Sequence, residues 1–272
     1  MSPKEKAGAK SNVFVFDGDD TLWMNEWQYS QAYSDFFSYL YKIFGNKTPN
    51  LHYLQERYFR TEGEMYKEWG IRRGRLAEAM IQTYRDICNW ALWRFEADLW
   101  REEHEVYIRK IGDQPFDFGR LEWLSGAKSI LSYLKRRGHM VCFLSSYDKK
   151  VFPQRAEFLG LYEFFSKENI LLTEGKKTKD DFVMVSGWQK ETDATRAWYA
   201  IGNGESDILP PLEISENWHG IYIPHGSTSR YLASEYFKEG GRALNFMPPP
   251  MENSRVQTIR SIGCLPTDVT GA

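Results

Sequence analysis

The stretch Asn12–Leu22, NVFVFDGDDTL, decides the fold of this chain. Its first half is β-branched and aromatic, and it ends abruptly in Asp17-Gly18-Asp19-Asp20-Thr21. A continuous apolar run bounded by turn residues is typical of a strand that is buried on both faces, as in a parallel sheet. The stretch therefore predicts a buried strand that ends in a cluster of carboxyl groups.

Beyond Asp113 the chain alternates between short apolar runs and amphipathic segments. The predicted strands are Met140–Leu144, Ile170–Leu172, Trp198–Ile201 and Gly220–Ile223. The predicted helices are Ser125–Arg137, with Ser125 as its cap, Val151–Leu159, Thr178–Lys190 and Ile208–Glu216. Strands that alternate with helices form right-handed βαβ units, so we predict an α/β, Rossmann-like parallel sheet with helices on both faces.

Residues 25–112 have a different pattern, without short strands. Three long amphipathic segments lie there: Glu26–Phe44, Leu51–Trp69 and Arg75–Ile111, the last with more than one helix. Apolar residues at three-to-four spacing are typical of helices. We predict an α-helical domain inserted into a core formed by residues 1–24 and 113–239, followed by a tail, 240–272, that is an extended strap or a loose end.

Composition excludes several classes of protein. The 272 residues include 35 basic and 37 acidic side chains, a net charge of −2, so no basic excess indicates a nucleic-acid partner. No apolar run approaches the roughly 18 residues of a membrane helix, and Met1–Ser11 lacks the apolar segment of a secretory signal. Three widely spaced cysteines favour reduced thiols, so we expect a cytoplasmic protein without a disulfide framework.

Four of the predicted strands end in polar, reactive side chains. They are Asp17, Asp19 and Thr21 after the first strand, Ser145 and Ser146 after the second, Lys176–Lys179 after the third, and Asn203 with Asp207 after the fourth. In open parallel sheets the ligand site lies outside the carboxyl ends of the strands. We therefore expect these groups to converge on one crevice.

Taken in order, these stretches resemble the four motifs of the haloacid dehalogenase-like (HAD) superfamily. The stretches are FVFDGDDTL (Phe14–Leu22), CFLSS (Cys142–Ser146), Lys177-Thr178 with Phe182, and GNGESD (Gly202–Asp207). The resemblance implies a core sheet of order 5-4-1-2-3, counting core strands along the chain, and identifies the insert as a helical C1 cap. It also implies a phosphatase acting on a small phosphorylated metabolite.

The resemblance assigns a role to both aspartates of the first motif. Asp17 would be the nucleophile, attacking phosphorus to form an aspartyl-phosphate. Asp19 would protonate the leaving oxygen and then activate the water that hydrolyses the intermediate. Thr21 would hold the geometry of the phosphate-binding loop.

The other motifs would supply charge stabilisation and a metal site. Ser145 would donate to a phosphoryl oxygen, with Ser146 as an alternative, and Lys177 would neutralise charge, with Lys176 and Lys179 as competitors. The resemblance implies Mg²⁺ held by Asp17, the backbone carbonyl of Asp19, Asn203 and Asp207. Asp207 alternatively caps the helix that follows it.

Three other readings stay open from the sequence. Many family members carry an aspartate where this chain has Asn203, so a metal-independent 2-haloacid dehalogenase is one alternative. Asp19 argues against it, because a halide leaves without a proton. A catalytically weak binding module on the same fold is the second, and a calcium loop at Asp17–Asp20, which lacks the late glutamate such loops need, is the third.

Overall fold

The computed structural model describes residues 11–188, 196–224, 253–259 and 261–265. The chain divides into two compact units. Asn25–Arg120 forms one, here called the helical unit, and the residues up to Met24 and from Leu121 onward form the other, the core unit. The sequence placed the end of the insert at residue 112, but the helical unit continues to Arg120 because two 3-10 turns follow its last helix.

Four α-helices build the helical unit. They are α1 (Glu26–Phe44), α2 (Leu51–Trp69), α3 (Arg75–Phe95) and α4 (Glu102–Asp113). The side chain of Asn50 caps α2 by accepting a hydrogen bond from the backbone N–H of Tyr53 at 2.9 Å. Aromatic rings dominate its interior, where Phe36, Tyr58 and Tyr84 are fully buried. Burial of this apolar surface is the main stabilising contribution to the unit.

Among the described residues, the core unit contains two sheets and four α-helices. The strands are β1 (Val13–Phe16), β2 (Trp23–Met24), β3 (Glu122–Trp123), β4 (Met140–Ser146), β5 (Ile170–Thr173), β6 (Trp198–Gly202), β7 (Trp218–Tyr222) and β8 (Val256–Thr258). The helices are α5 (Ala127–Arg136), α6 (Phe152–Leu159), α7 (Lys179–Ser186) and α8 (Glu205–Leu212). The main sheet is parallel throughout, in the order β5-β4-β1-β6-β7-β8, and β2 pairs antiparallel with β3.

This sheet confirms the predicted α/β class. The five predicted core strands are neighbours in the predicted order, with β1 in the interior between β4 and β6. All four residues of β1 are buried, as expected for a strand covered on both faces. The sheet differs from the prediction by a sixth strand, β8, at its edge.

The tail is the main correction to the sequence-based description of the fold. Val256–Thr258 pairs in parallel with β7, so this part of 240–272 is neither a strap nor a loose end. The apolar run there is too short to stand out in the sequence, and its pairing partner lies far away along the chain. Residues 240–252, 260 and 266–272 of the tail lie outside the described residues, as do residues 225–239 of the predicted core.

Several helix ends also differ from the prediction. Gly126, not Ser125, precedes the first turn of α5, with φ at 85°, a left-handed conformation that glycine adopts without strain. The helix predicted at Ile208–Glu216 is α8, which begins earlier, at Glu205, and ends at Leu212. The helix predicted at Thr178–Lys190 is α7, which begins at Lys179, with Thr178 as its N-cap, and ends earlier, at Ser186. In the described part of the chain, none of the helices combines the length and apolar character needed to cross a membrane.

Candidate active site

The register of the main sheet brings the ends of three strands to one place. Phe16, the last residue of β1, pairs with Phe143 of β4 and with Ile201 of β6. The chain then continues into Asp17, whose backbone N–H donates to the carbonyl of Ile201 at 2.9 Å. The polar residues that follow each strand therefore meet at the carboxyl edge of the sheet.

The loop after β1 is a tight turn with a fixed shape. The backbone N–H groups of Thr21 and Leu22 donate to the carbonyl of Gly18 at 3.2 and 2.8 Å. A side chain at residue 18 would lie 2.6 Å from the Trp23 ring, so only glycine fits between the two aspartates. Asp20 adopts a left-handed conformation with φ at 58°. Asp20 thus shapes the loop, and Asp17 and Asp19 are carried on a backbone held by its own hydrogen bonds.

A buried cluster of charges surrounds Asp17. Nζ of Lys177 donates to Oδ1 of Asp17 and, at 2.6 Å, to Oδ1 of Asp207. The hydroxyl of Ser145 donates to the same Oδ1 of Asp17 at 3.1 Å. All four residues are buried, with Asp17 only 8 % exposed. Lysine and aspartate are almost never buried to this extent unless they are paired, so the cluster is a costly feature of the core.

Burial and neighbouring charges change the proton affinities of this cluster. Burial raises the pKa of Asp17 to about 7, with Lys177 acting in the opposite direction and Asp207 adding to the rise. Burial alone would lower the pKa of Lys177, but the carboxylates of Asp17 and Asp207 outweigh it and hold that pKa above its usual range. Lys177 is therefore a cation at neutral pH and is held between the carboxyl groups of Asp17 and Asp207.

Asp19 is held separately, two residues along the loop. Its Oδ1 accepts a hydrogen bond from the indole Nε1 of Trp23 at 2.6 Å and from Nη1 of Arg155 at 2.9 Å. Arg155 is 1 % exposed and its guanidinium lies 4.6 Å from the centroid of the Tyr147 ring. The two aspartates thus have different surroundings, Asp17 beside a lysine and a serine and Asp19 beside an arginine and a tryptophan.

The structure chooses among residues that the sequence left open. Of the three competing lysines, Lys177 contacts Asp17, whereas Lys176 and Lys179 are exposed. Ser145 contacts Asp17, whereas the hydroxyl of Ser146 donates to the carbonyl of Gly175 at 2.6 Å. Ser145 and Ser146 point to opposite sides of β4 because side chains alternate along a strand.

Thr21 and Asp207 also have defined surroundings. Thr21 is fully buried, and its hydroxyl has no hydrogen-bond partner among the described residues. The two carboxylate oxygens of Asp207 have different partners: Oδ1 accepts from Nζ of Lys177, and Oδ2 accepts from the backbone N–H of Gly204 at 2.8 Å, so Asp207 caps the start of α8 as suggested. A side chain at Gly202 would collide with Asp207, which keeps the carboxylate close to the end of β6.

The oxygen donors of the site fit a magnesium ion. Asp17 and Asp207 both contact the ammonium of Lys177, so two carboxylates lie together, and Asn203 lies on the loop that leads into α8, the helix that carries Asp207. Magnesium is usually bound by one or two carboxylates together with water and substrate phosphate, which matches this donor set. The described residues contain no group of three or more His, Cys, Asp or Glu side chains arranged for a metal.

Sequence reasoning missed Arg155, although the sequence contains a signal for it. In α6 the buried positions are Phe152, Arg155, Ala156 and Leu159, a helical spacing with one arginine among apolar residues. An arginine on the buried face of a helix needs a buried acceptor. The spacing alone does not say which carboxylate that is, and the structure identifies Asp19.

Solved structures show the same architecture over nearly the whole chain. A haloacid dehalogenase-like family hydrolase from Xanthomonas campestris superposes with a TM-score of 0.64 at 20% identity, covering 97% of this chain and 96% of its own. The chain has the haloacid dehalogenase-like fold. The resemblance inferred from the four motifs is thereby confirmed at the level of the fold.

Two further structures with this fold have different chemistry in their names. YfnB from Bacillus subtilis, described as a HAD-hydrolase and solved bound to magnesium, gives a TM-score of 0.55 at 13% identity, covering 97% of this chain and all of its own (100%). L-2-haloacid dehalogenase from Xanthobacter autotrophicus gives 0.53 at 16% identity, covering 96% and 99%. No model of a protein family and no curated protein matches the chain.

Proposed function

We propose that this protein is a HAD-type hydrolase, a magnesium-dependent phosphatase that acts on a small phosphorylated metabolite. The observation that carries the proposal is the pair Asp17 and Asp19 at the end of β1, with Lys177 and Ser145 both contacting one oxygen of Asp17. A buried carboxylate beside a buried ammonium, with a second carboxyl group two residues away, provides a nucleophile, a charge acceptor and a proton carrier in one place.

In the first step Asp17 attacks the phosphorus atom. Both donors contact Oδ1, so Oδ2 is the oxygen that forms the new bond. As the O–P bond forms, the bond from phosphorus to the ester oxygen breaks and its electron pair stays on that oxygen. Asp19, protonated at this stage, transfers its proton to the leaving oxygen, and the leaving group departs as an alcohol.

In the second step water hydrolyses the aspartyl-phosphate. Asp19, now a carboxylate, removes a proton from the water as its oxygen attacks phosphorus. The bond between phosphorus and Oδ2 of Asp17 breaks, inorganic phosphate is released, and both carboxyl groups return to their starting state. Splitting the reaction in two lets one proton carrier serve both halves.

Lys177 and Ser145 stabilise the negative charge that accumulates during both steps. They are donors already aimed at the nucleophile, so little reorganisation is needed as charge develops. Asp207 keeps Lys177 charged and in place through the contact at 2.6 Å.

Mg²⁺ would be held by Asp17, Asp207, Asn203 and the backbone carbonyl of Asp19. Bound there, the ion would neutralise charge between Asp17 and the anionic phosphoryl group.

The helical unit is proposed to be the C1 cap that the sequence suggested. It begins at Asn25, directly after the loop that carries the two aspartates. In the superfamily that the four motifs resemble, a C1 cap inserted at this point contacts the leaving group. The phosphoryl group would be bound by Lys177 and Ser145 of the core unit.

A haloacid dehalogenase is the second candidate, favoured by the fold shared with the Xanthobacter autotrophicus enzyme. In that reaction the aspartate attacks carbon and halide leaves without a proton, so Asp19 would have no role. Trp23 and Arg155 both donate to Asp19 and hold it in place, which favours the phosphatase, the reaction in which Asp19 has a role.

The test is a screen of phosphorylated metabolites with phosphate release as the readout, run with Mg²⁺ and with EDTA. We expect hydrolysis that EDTA abolishes and Mg²⁺ restores, together with a hydroxylamine-sensitive phosphoryl adduct on Asp17 after rapid quenching. Asp17→Asn is expected to form no adduct. Halide release from 2-haloacids that EDTA does not affect would overturn the phosphatase proposal in favour of the dehalogenase. If the protein turned over neither phosphate esters nor 2-haloacids, both enzyme proposals would fail and the catalytically weak binding module would be the interpretation that remains.

A further inference from the structure

Asp19 is held by two donors from different parts of the core unit. Nε1 of Trp23, in β2, and Nη1 of Arg155, on α6, both contact the same carboxylate oxygen, Oδ1, at 2.6 and 2.9 Å. Two donors converging on one oxygen from separate elements restrict rotation of the carboxyl group. The orientation of Asp19 is thus set by tertiary contacts in addition to the loop.

We propose that Arg155 is a positioning residue for Asp19, assisted by Trp23, and that protons pass through Oδ2 of Asp19. This proposal rests on the phosphatase function above. The guanidinium and the indole N–H are permanent donors, because arginine stays protonated and the indole nitrogen has no acceptor role. A proton on Oδ1 would face both of them, so the proton that Asp19 gives and takes is carried by Oδ2.

The position of Arg155 is itself fixed. Its guanidinium packs over the ring of Tyr147, which follows β4 directly, and the side chain is buried. The same β4 contributes Ser145, which donates to Asp17. One segment of chain, from the end of β4 into α6, therefore supplies a donor to each aspartate. This arrangement fixes the nucleophile and the proton carrier relative to one another.

A purely structural ion pair would also bury an arginine against a carboxylate. Loss of such a pair would lower the stability of the protein and slow the hydrolysis of every substrate to the same extent. A positioning residue has a narrower effect, because only steps that need a proton from Asp19 depend on the placement of Oδ2. Alkyl phosphates release a basic alkoxide that needs this proton, whereas p-nitrophenolate leaves readily without it.

The experiment compares an alkyl phosphate, ethyl phosphate, with p-nitrophenyl phosphate under single-turnover conditions, so that cleavage of the ester is measured apart from hydrolysis of the intermediate. For Arg155→Met we expect cleavage of ethyl phosphate to slow by about 10- to 100-fold, within the range of general acid catalysis, and that of p-nitrophenyl phosphate by less than about threefold. Trp23→Phe, which keeps an aromatic ring and removes the N–H donor, should show the same selectivity with a smaller loss. Arg155→Lys should recover part of the rate.

Two variants in the helical unit serve as matched controls. Arg109→Met removes an arginine–glutamate contact of 2.9 Å with Glu78, and Trp100→Phe removes an indole donor 2.8 Å from Glu105. Both are expected to leave the ratio of the two substrates unchanged. Equal losses on both substrates in Arg155→Met, without recovery in Arg155→Lys, would overturn the proposal.

A crystal structure of Arg155→Met separates this inference from the proposed function. We expect the carboxyl group of Asp19 to rotate while the backbone of Asp17–Thr21 stays in place. An unchanged carboxyl group would overturn the positioning role whatever the activity. If the wild-type protein cleaves neither ester, the phosphatase proposal fails. The position of the Asp19 carboxyl group in the crystal structure of Arg155→Met still decides whether Arg155 orients that group.

Discussion

In the helical unit, Arg85 pairs with Glu105 at 2.6 Å through side chains that remain 44% and 14% exposed; in the core unit, Lys177 pairs with Asp17 and Asp207 through side chains that are 3%, 9% and 8% exposed. Pairs of opposite charge are therefore partly exposed to water in the helical unit and buried in the core unit. Burying charges costs free energy that pairing repays only in part. The buried charges of Lys177, Asp17 and Asp207 would not be favoured by folding stability alone, as expected for charges that take part in a reaction.

The two units also differ in what fills their interiors. The helical unit is packed with aromatic and aliphatic side chains, and among the described residues its one buried arginine, Arg75, pairs with Glu62. At the sheet edge of the core unit, by contrast, Asp17, Lys177 and Arg155 are all buried. The comparison predicts that charge substitutions have large effects in the core unit and small effects on the surface of the helical unit.

The largest effect is expected for Asp17→Asn. Phosphatase activity should fall by at least about 10⁴-fold, because the amide is not a nucleophile and the enzyme loses its covalent route. Stability at pH 8 should rise, since a neutral amide removes a charge that burial disfavours. Phosphate release and urea unfolding measure the two quantities. A loss of both activity and stability would show that Asp17 is needed for folding.

The next effect is expected for Lys177→Met, measured at pH 8 in EDTA. The substitution leaves the carboxylates of Asp17 and Asp207 buried without their cation, so the free energy of unfolding should fall by about 3–5 kcal/mol. Added Mg²⁺ should restore part of the loss by binding the same two carboxylates, a readout independent of turnover. An unchanged stability would contradict the view that the cluster depends on Lys177.

The two units should respond to pH with opposite sign. Burial raises the pKa of Asp17 to about 7, so the folded state holds its proton more tightly, and this contribution to stability is lost as pH rises from about 4 to 7. The hydrogen bonds from Arg85 hold the pKa of Glu105 below its ordinary value of 4.5, so that contribution is present at neutral pH and is lost as pH falls below about 4.5.

Urea unfolding of the metal-free protein across pH checks both slopes. Asp17→Asn should remove the decline in stability towards neutral pH, and Glu105→Gln should remove the decline at acid pH. If Asp17→Asn kept the wild-type pH dependence, the buried carboxyl group would not be its source.

The smallest effect is expected for Arg85→Met. Although Arg85 donates to both oxygens of Glu105, at 2.7 and 2.6 Å, its side chain is 44% exposed. Water screens such pairs, so the loss should be about 0.2–1 kcal/mol and should shrink in high salt. A loss as large as that of Lys177→Met would remove the contrast between the two units.

Local patterns were enough for most of the fold. The run Val13–Phe16 reads as a buried strand, and the bounds of α1 and α2 follow from helical spacing and from Gly45 and Gly70 at their ends. β8 could not be found in this way, because a three-residue strand has no periodicity and forms only by pairing with β7. The start of α5 depends on the left-handed backbone of Gly126, next to the residue that looked like its cap.

The candidate site shows the same division. Asp17 and Asp19 were found because they follow a strand directly. The choice between Ser145 and Ser146 needed the side of β4 that faces Asp17, and the choice of Lys177 needed the path of the loop before α7. Arg155 lies 136 residues from Asp19 along the chain, so only tertiary packing could reveal the pair.

The sequence by itself determined the strand–helix alternation, the place of the helical insertion and the residue types at the strand ends, since these follow from spacing along a single segment. The tertiary structure alone decided which oxygen each donor contacts, which lysine and serine reach Asp17, and what holds Asp19. The physical reason is range: periodicity and turn chemistry act over a few residues, whereas burial and charge pairing depend on distance in space.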